Sequence, residues 1–375
     1  MIMPVASSSL HVSKGTCHVL FAYEVGLSID LDQCERKITT LTQREHLRHK
    51  RRAPQYFEYR PAPLRVTQEA GTLLVNGHRT ADSVDLVLYD FGAVSVTYSI
   101  PLAGPVSALI QLSEALYDNI TLREDSRRRV SQLLGAIEGV VNKPRVADFV
   151  ETYAIFQVEA FAEPCHASEL YTTHAEAVAQ ILRSERIALS ADEIHDATAQ
   201  HISYSNNDVT IIDWDATLLF DCDAEDVRAV LEFANVELLE MRYLDQQLDD
   251  ALDQAYQALS RHTWHRPRLP GSSRADLRRV ARLQVDNAIL FEAVNNALKL
   301  LGDQYLARVY RLASVRFHLA EWDASILRKL ETLESIYEKM SDAAANWRLE
   351  VLEWIIIILS AVSIAVYFLP GIAGH

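Results

Sequence analysis

The chain has 375 residues, of which 49% are hydrophobic and 23% charged, with 12 glycines and four cysteines. This composition fits one large or two ordinary folded domains and excludes a wholly disordered or collagen-like chain. A formal net charge of −15 argues against nucleic-acid binding over the whole surface, because neutralising phosphates requires a basic surface. The four cysteines, Cys17, Cys34, Cys165 and Cys222, are widely spaced and form no CxxC motif. This spacing predicts reduced thiols and no disulfide framework.

The first part of the chain is predicted to be a flexible tail followed by a globular head. Residues 1–16 contain no Arg and no long apolar run, so neither a secretory signal nor a transit peptide is expected. Residues 17–220 mix strand-like and helix-like segments, which predicts an α+β head. The strands, rich in β-branched and aromatic residues, are predicted at 17–23, 84–89, 93–100, 153–158 and 209–214. Amphipathic helices are predicted over 105–117 and 174–189.

Residues 221–301 predict a long helical hairpin. After an acidic cap at Asp221 or Asp223, apolar residues recur at spacings of three and four. Prolines and a glycine near residue 270 end this first helix. Residues 274–301 then predict an antiparallel return helix.

Residues 303–350 predict a stalk helix with an apolar heptad seam. The seam residues follow alternating steps of three and four: Leu312, Val315, Leu319, Trp322, Ile326, Lys329, Leu333, Ile336, Met340, Ala343 and Trp347. Such a pattern is typical of a coiled coil. Two explanations stay open. The helix packs in a bundle within its own chain, or it forms a parallel homo-oligomeric stalk whose register Lys329 sets.

Residues 351–373 predict one C-terminal transmembrane helix. Trp354 to Leu369 carries no charge, and Trp354 and Tyr367 lie near its two ends, where aromatic side chains favour the membrane interface. Basic residues precede the segment and none follows it. We therefore expect a single-pass membrane protein with its bulk on the cytoplasmic side of a bacterial-type membrane, or in the mitochondrial inner membrane if eukaryotic. The alternative is a buried core helix.

The net charge hides a partition between segments. Residues 35–65 hold nine Lys or Arg against three acids, whereas residues 213–253 hold thirteen acids against two Arg. Solvated faces and internal charge complementarity explain such runs. The functional alternative is contact with phosphates of anionic lipid or RNA, supported by nearby aromatic residues. The residues that would make this contact are Arg48, Lys50, Arg51 and Arg52.

The sequence contains no GxGxxG, GxxxxGK[ST], GxSxG or HExxH motif, so the common dinucleotide, Walker, hydrolase and zincin signatures are absent. Cys165, His166 and His174 could ligate a metal but lack four ligands at a recognised spacing. Asp213, Asp215 and the acids that follow could hold Mg²⁺ or Ca²⁺, which prefer clustered carboxylates. The structural explanation is favoured: Asp213 and Asp215 lie on one face of a predicted strand, and helix capping explains the later acids. We therefore predict no catalytic residue, cofactor or metal.

Several motifs in order carry a family resemblance. Segments 310–317, 322–330 and 352–359, with 88–92 upstream, resemble the YagE-like, required-for-meiotic-nuclear-division family of uncharacterised proteins. The matching residues include Tyr89, Asp90, Gly92, Tyr310, Phe317, Trp322, Lys329, Leu330 and Glu353. The resemblance implies no established enzymatic activity. It implies, for eukaryotic members, a mitochondrial membrane location and a link to mitochondrial translation.

Three classes of function follow. The leading hypothesis is a non-enzymatic, membrane-anchored, homo-oligomeric scaffold or interaction protein. The second is a membrane-tethered RNA- or ribosome-associated factor that supports translation. The third is an ion-transport-related protein. The sequence argues against it, because a single apolar span without polar pore residues makes a poor ion conduit. No small-molecule substrate is indicated.

Overall fold

The computed structural model describes residues 10–42, 47–52, 62–263 and 304–368. The chain divides into two compact units: Met1–Tyr243 with Leu290–Asp323, and Leu244–Ile289 with Ala324–His375. The first unit is an α+β fold, and the described part of the second unit consists of segments of two long helices.

The strands of the described residues are β1 (His11–Glu24), β2 (Ser28–Ile29), β3 (Leu47–Arg52), β4 (Leu64–Glu69), β5 (Leu74–Val75), β6 (His78–Arg79), β7 (Ser83–Leu88), β8 (Ala93–Pro105), β9 (Val141–Asn142), β10 (Val150–Phe161), β11 (His201–Ile202), β12 (Val209–Ile212) and β13 (Ala216–Phe220). Nine of them form one mixed sheet in the order β11-β12-β13-β10-β1-β8-β7-β4-β3. The β10–β13 pair is parallel, and the other neighbouring pairs are antiparallel.

The helices of the described residues are α1 (Leu31–Thr42), α2 (Val106–Leu116), α3 (Ile120–Ala136), α4 (Ala167–Leu170), α5 (Ala175–Arg183), α6 (Ala191–Ala199), α7 (Glu225–Thr263), α8 (Gln304–Arg316) and α9 (Leu319–Phe368). The predicted α+β fold of the head is confirmed. All five predicted strands are present as β1, β7, β8, β10 and β12, and the two predicted amphipathic helices are α2 and α5. Strand β1 begins at His11, within the segment predicted as a tail.

Strand β1 is buried on both faces, which explains its nearly continuous apolar sequence. On one face, Cys17, Val19, Phe21 and Tyr23 join the largest core cluster, which also includes residues of α2, α3 and α5. On the other face, Leu20 packs in a cluster with residues of α7 and α8. The sheet of the first unit therefore has helices on both faces, and its centre carries the core.

The predicted stalk helix is divided at His318. Helix α8 ends at Arg316, α9 begins at Leu319, and His318 between them has φ +53°, in the left-handed region. Phe317 is buried at this break, against Tyr153 and Trp214. The large ring at the break holds α8 against the sheet of the first unit.

In the second unit, segments of α7 and α9 run parallel. Ser325 Oγ donates to Asp245 Oδ1 at 3.2 Å, and Lys329 Nζ lies 2.6 Å from Asp249 Oδ1, so the contacts advance in the same direction along both helices. Apolar residues of both segments are buried: Leu244, Leu248, Ala251, Ala255, Ile326, Leu333 and Ile336. The predicted return helix, 274–301, lies outside the described residues.

The prediction of a C-terminal transmembrane helix over 351–373 is wrong. Within the described part of the chain, no helix combines the length and the apolar character needed to cross a membrane. The predicted fold class is therefore wrong in including a terminal membrane span. The single-pass membrane location was deduced from that span and is wrong as well.

Candidate functional site

The longest run of exposed apolar side chains among the described residues lies in the far part of α9. Nine large apolar side chains there are 47–64% exposed: Leu352, Trp354, Ile355, Ile356, Ile357, Ile358, Leu359, Val362 and Ile364. They follow one another so closely that every face of the helix is apolar, a pattern normally found on buried helices. We call this set the apolar end of α9. The predicted interface residue Trp354 belongs to it, whereas the side chain of Tyr367 lies outside the described residues.

The predicted seam is mostly covered within one chain. Ile326 and Leu333 are fully buried and Ile336 is 3% exposed, whereas Val315 is 56% exposed. Lys329 pairs with Asp245 at 2.7 Å and with Asp249 at 2.6 Å. Leu319 is buried, Leu312 and Trp322 are partly buried, and the side chains of Met340, Ala343 and Trp347 lie outside the described residues. An oligomeric role for the seam stays a prediction.

The predicted basic contact residues lie on β3, at the edge of the nine-stranded sheet. The strand pairs with β4 in an antiparallel register that places Lys50 opposite Val66, Arg51 opposite Arg65 and Arg52 opposite Leu64. Basic residues on an edge strand discourage pairing with other sheets. The position is therefore explained by protection of the edge, and a phosphate-binding role stays a prediction.

Residues that carried the family resemblance build the contact between the sheet and α7. The turn from Tyr89 to Gly92 joins β7 to β8, and the Tyr89 ring stacks on Phe91 with centroids 5.3 Å apart. Gly92 has φ +104°, and a Cβ at this position would lie 1.8 Å from the carbonyl oxygen of Gly26. The turn therefore requires glycine for both its backbone conformation and its close approach. Among the others, Tyr310 contacts α7 directly, Asp90 accepts the Ile29 N–H through its carbonyl, and Leu330 and Glu353 lie on α9.

Helix α7 places several carboxyls in the interior of the first unit. Tyr310 donates its hydroxyl to Glu237 Oε2 at 2.6 Å, and burial raises the pKa of Glu237 to about 8. Glu151 pairs with Arg242 at 2.7 Å, yet burial raises the pKa of Glu151 to about 7. The sequence does not reveal either carboxyl: the acids of residues 213–253, Glu237 among them, are assigned to solvated faces, and Glu151 of β10 carries no signal of its own.

Glu24 of β1 and Glu240 of α7 form a pair of buried carboxyls. Glu24 is 3% exposed and Glu240 is 2% exposed. Burial raises the pKa of both groups, and the charge of Glu240 raises that of Glu24 further. Paired carboxyls with raised pKa values can exchange protons near neutral pH. Both side chains are almost fully covered, so the pair belongs to the packed interior.

A polar cluster lies on the sheet face toward α7. Arg228 Nη1 donates to His18 Nε2 at 2.9 Å, and Ser99 Oγ lies 3.2 Å from His18 Nδ1. Burial and the charge of Arg228 lower the pKa of His18 to about 3, so its imidazole is neutral. Arg65 pairs with Glu232 at 3.1 Å in the same region. These contacts join α7 to the sheet, which favours a structural role.

The candidate cation residues Asp213 and Asp215 do not form a joint cation site. Asp213 is fully buried and pairs with Arg183 Nε at 2.8 Å and with Arg316, whose Nε lies 2.6 Å from Oδ1. Asp196 binds the same two guanidinium groups at 2.6 and 2.7 Å. Two arginines already neutralise two carboxylates here. The arrangement ties α5, α6 and α8 to the end of β12.

One group of metal-capable side chains does come together. Potential ligand atoms of Cys165, Glu169 and His174 all lie within 4.8 Å of one another, and it is the one such group found among the described residues. The sequence reasoning considered Cys165, His166 and His174 and missed Glu169. The sequence signal is the spacing: Glu169 follows Cys165 by four residues, and His174 follows Glu169 by five. These positions run from just before α4 to the start of α5.

The fold and these sites define an α+β protein with a helix-covered mixed sheet and an apolar helical surface, without a recognised catalytic constellation in its described part. The chain belongs to the family described as "Uncharacterized protein MJ0711, N-terminal domain", whose model matches residues 14–226. The predicted membership of the YagE-like, meiotic-nuclear-division family is therefore wrong. The motifs behind that resemblance were short, and several are core and turn residues that packing alone explains.

Among curated proteins, the chain is similar to "Uncharacterized protein MJ0711" of Methanocaldococcus jannaschii, with 24% identity over 192 residues. The match covers 50% of this chain and 57% of the relative, so the chain spans little more than half the length of that protein. No solved structure matches.

Proposed function

We propose that the protein is a non-enzymatic interaction protein that associates with further copies of itself through the apolar end of α9. The observation that carries this proposal is the run of exposed apolar side chains from Leu352 to Ile364. Monomeric proteins seldom expose contiguous apolar patches of more than a few hundred Å², and larger ones mark interaction surfaces. A second copy offers the same surface, and the charge-free stretches from Trp354 to Ile364 of two copies can pair without burying an unpaired charge.

The energy available supports this occupant. Burying one Leu or Ile side chain contributes roughly 1.5–3 kcal/mol. The side chains of the apolar end are already about half covered, so pairing recovers part of this value for each side chain that it buries. Helix α9 begins at Leu319, more than thirty residues before the apolar end, and its first part carries the heptad pattern.

The test is the mass of the full-length protein by light scattering and sedimentation, with Ile356→Glu as the disrupting variant. Ile356 is 61% exposed, so the substitution leaves folding of the single chain intact. Leu327→Glu is the matched control, since Leu327 is 43% exposed on the same helix but lies outside the apolar end. We expect an oligomer for wild type and Leu327→Glu, and a monomer for Ile356→Glu. A monomeric wild-type chain, or a monomer that floats with phospholipid vesicles, would overturn the proposal.

A second candidate function is contact with RNA, supported by the basic run on edge strand β3. The edge of a sheet presents a linear set of positions, which suits a nucleic-acid backbone. Ultraviolet crosslinking followed by RNA recovery tests it. Recovery should fall several-fold and become less dependent on salt in an Arg48/Arg51/Arg52→Ala variant. Equal recovery from wild type and variant would remove this candidate.

A further inference from the structure

A thiol, a carboxylate and an imidazole converge between α4 and α5. Cys165 precedes α4, Glu169 lies within it and His174 is the N-cap of α5. Their potential ligand atoms lie within 4.8 Å of one another, and all three residues are partly exposed. Metal ions can therefore reach the group from solvent. A small closure brings the ligand atoms to the separations of a tetrahedral site, where bonds measure about 2.0–2.3 Å.

The backbone holds this group in position. Glu169 Oε2 accepts the N–H of His166 at 3.2 Å, which orients the carboxylate. The carbonyl oxygen of Glu169 accepts the N–H of His174 at 2.8 Å, which fixes the start of α5 beside α4. Hydrogen bonds of this kind orient ligands in known metal sites. The arrangement therefore does not depend on long, freely rotating side chains.

A cavity next to the group provides an independent observation. It has a volume of about 310 Å³, and His174 forms part of its lining together with mainly apolar residues, among them Leu10, Val106, Ile110, Phe161 and Leu170. This volume lies at the lower end of the range for small-molecule sites. A three-ligand metal beside a cavity has the layout of sites that keep one coordination position for water or a ligand.

We propose that Cys165, Glu169 and His174 bind one Zn²⁺ ion, with a fourth position left for water or a ligand at the cavity. A thiolate and an imidazole favour Zn²⁺ over Mg²⁺ or Ca²⁺, which prefer oxygen ligands alone. The group combines a thiol, a carboxylate and an imidazole. Clusters of acids alone are common on solvated surfaces and at helix caps, so they are weaker indications of a metal site. The site shares no residue with the apolar end of α9, so the tests of zinc binding and of self-association can succeed or fail independently.

Binding has a proton signature. In the absence of metal, the Cys165 S–H donates to the carbonyl oxygen of His166 at 3.6 Å. Zn²⁺ binds the thiolate, so the thiol proton must leave as the Zn–S bond forms. At pH 7.5 one proton per bound ion should therefore be released, which a pH indicator in weak buffer measures.

The experiment titrates the full-length protein, freed of metal with a chelator, with Zn²⁺ and separately with Co²⁺. We expect one Zn²⁺ per chain and, with Co²⁺, a thiolate-to-metal charge-transfer absorption. Losing one outer-shell partner alone costs about 10–100-fold in affinity, so Cys165→Ser should weaken Zn²⁺ binding by at least about 100-fold and abolish the absorption. Cys222→Ser is the matched control, because Cys222 is exposed and lies outside the group.

Two further variants keep the test decisive if Cys165→Ser misfolds. Glu169→Gln and His174→Asn each remove one ligand, and both should lower Zn²⁺ affinity while circular dichroism stays unchanged. Zinc binding by wild type that is no tighter than by Cys165→Ser would overturn the proposal. So would bound Co²⁺ without the charge-transfer absorption, since the thiolate would then not be a ligand.

Discussion

The Tyr310 hydroxyl donates to Glu237 at 2.6 Å, joining α8 to α7 inside the first unit. Glu237 is 2% exposed, and burial raises its pKa from an ordinary 4.5 to about 8. At pH 7 the carboxyl therefore holds its proton for most of the time, whereas the unfolded chain has lost it. Folding and proton uptake are coupled at this side chain.

Glu237→Gln should make the protein less sensitive to pH. The folded pKa of Glu237 is raised, so its contribution is fully present below about pH 4.5 and is lost as pH rises to about 8. Glutamine cannot ionise, so the variant should gain stability relative to wild type, by a few kcal/mol, between pH 5 and pH 8. Urea unfolding at both pH values measures this change.

The exposed Glu124 on α3 supplies the control for that experiment. Glu124→Gln removes the same charge from the same unit without touching the interior. Its free energy of unfolding should follow the wild-type pH profile. A Glu237→Gln variant that follows the wild-type profile as well would show that the Glu237 carboxyl is ionised in the folded protein.

Gly92→Ala should destabilise the protein by about 3 kcal/mol or more. The residue has φ +104°, and the added Cβ would lie 1.8 Å from the Gly26 carbonyl oxygen, so the backbone must move. Gly71→Ala is the control, because nothing lies within 4 Å of the added Cβ there. Thermal unfolding should show a large loss for Gly92→Ala and little change for Gly71→Ala. Similar melting temperatures for both variants would contradict the tight packing of this turn.

How far the sequence predicts the structure depends on how local each signal is. The turn at Gly92 and the strands β1, β7, β8, β10 and β12 were predictable, because turn chemistry and β-branched residues act over a few positions. The buried Glu237 and Glu240 were not, because an acid on a helix gives the same pattern whether it faces solvent or a partner. The break at His318 carries no proline or glycine, and it arises where Phe317 enters the core.

The candidate sites show the same limit. A heptad seam predicts that Ile326 and Leu333 are covered but not by which helix, and the structure covers them within one chain. The group of Cys165, Glu169 and His174 spans the end of one helix and the start of another, so its convergence depends on how the chain turns between α4 and α5.

Lys329→Met should destabilise the second unit by about 1–3 kcal/mol. Lys329 is the ion-pair partner of both Asp245 and Asp249, and Asp245 is only 16% exposed, so the substitution leaves a partly buried carboxylate without this cation. The exposed Lys339 on the same helix provides the control variant, Lys339→Met, which should change stability by less than about 0.5 kcal/mol. Urea unfolding followed by helical circular dichroism measures both. Equal effects would mean that the pairs at Lys329 are solvent-screened and contribute little.

His18→Gln should remove an acid sensitivity of the folded protein. The pKa of His18 is lowered from 6.5 to about 3, because burial and the Arg228 guanidinium disfavour a second positive charge. A lowered pKa means that the unfolded chain takes up a proton below about pH 6.5 while the folded chain does not, so wild-type stability falls as pH decreases toward 3.

Glutamine keeps hydrogen-bonding capacity toward Arg228 and Ser99 but cannot be protonated. Between pH 7 and pH 4.5 wild type should therefore lose about 2–3 kcal/mol more than His18→Gln. His195→Gln, on the exposed side of α6, is the comparison that tests whether any histidine replacement has this effect. Urea unfolding at the two pH values gives the free energies, and the His18 ring resonances in an NMR titration should stay constant down to about pH 4. Ring resonances that shift near pH 6 would show that the His18 imidazole takes up a proton beside Arg228, and the acid sensitivity would then need another source.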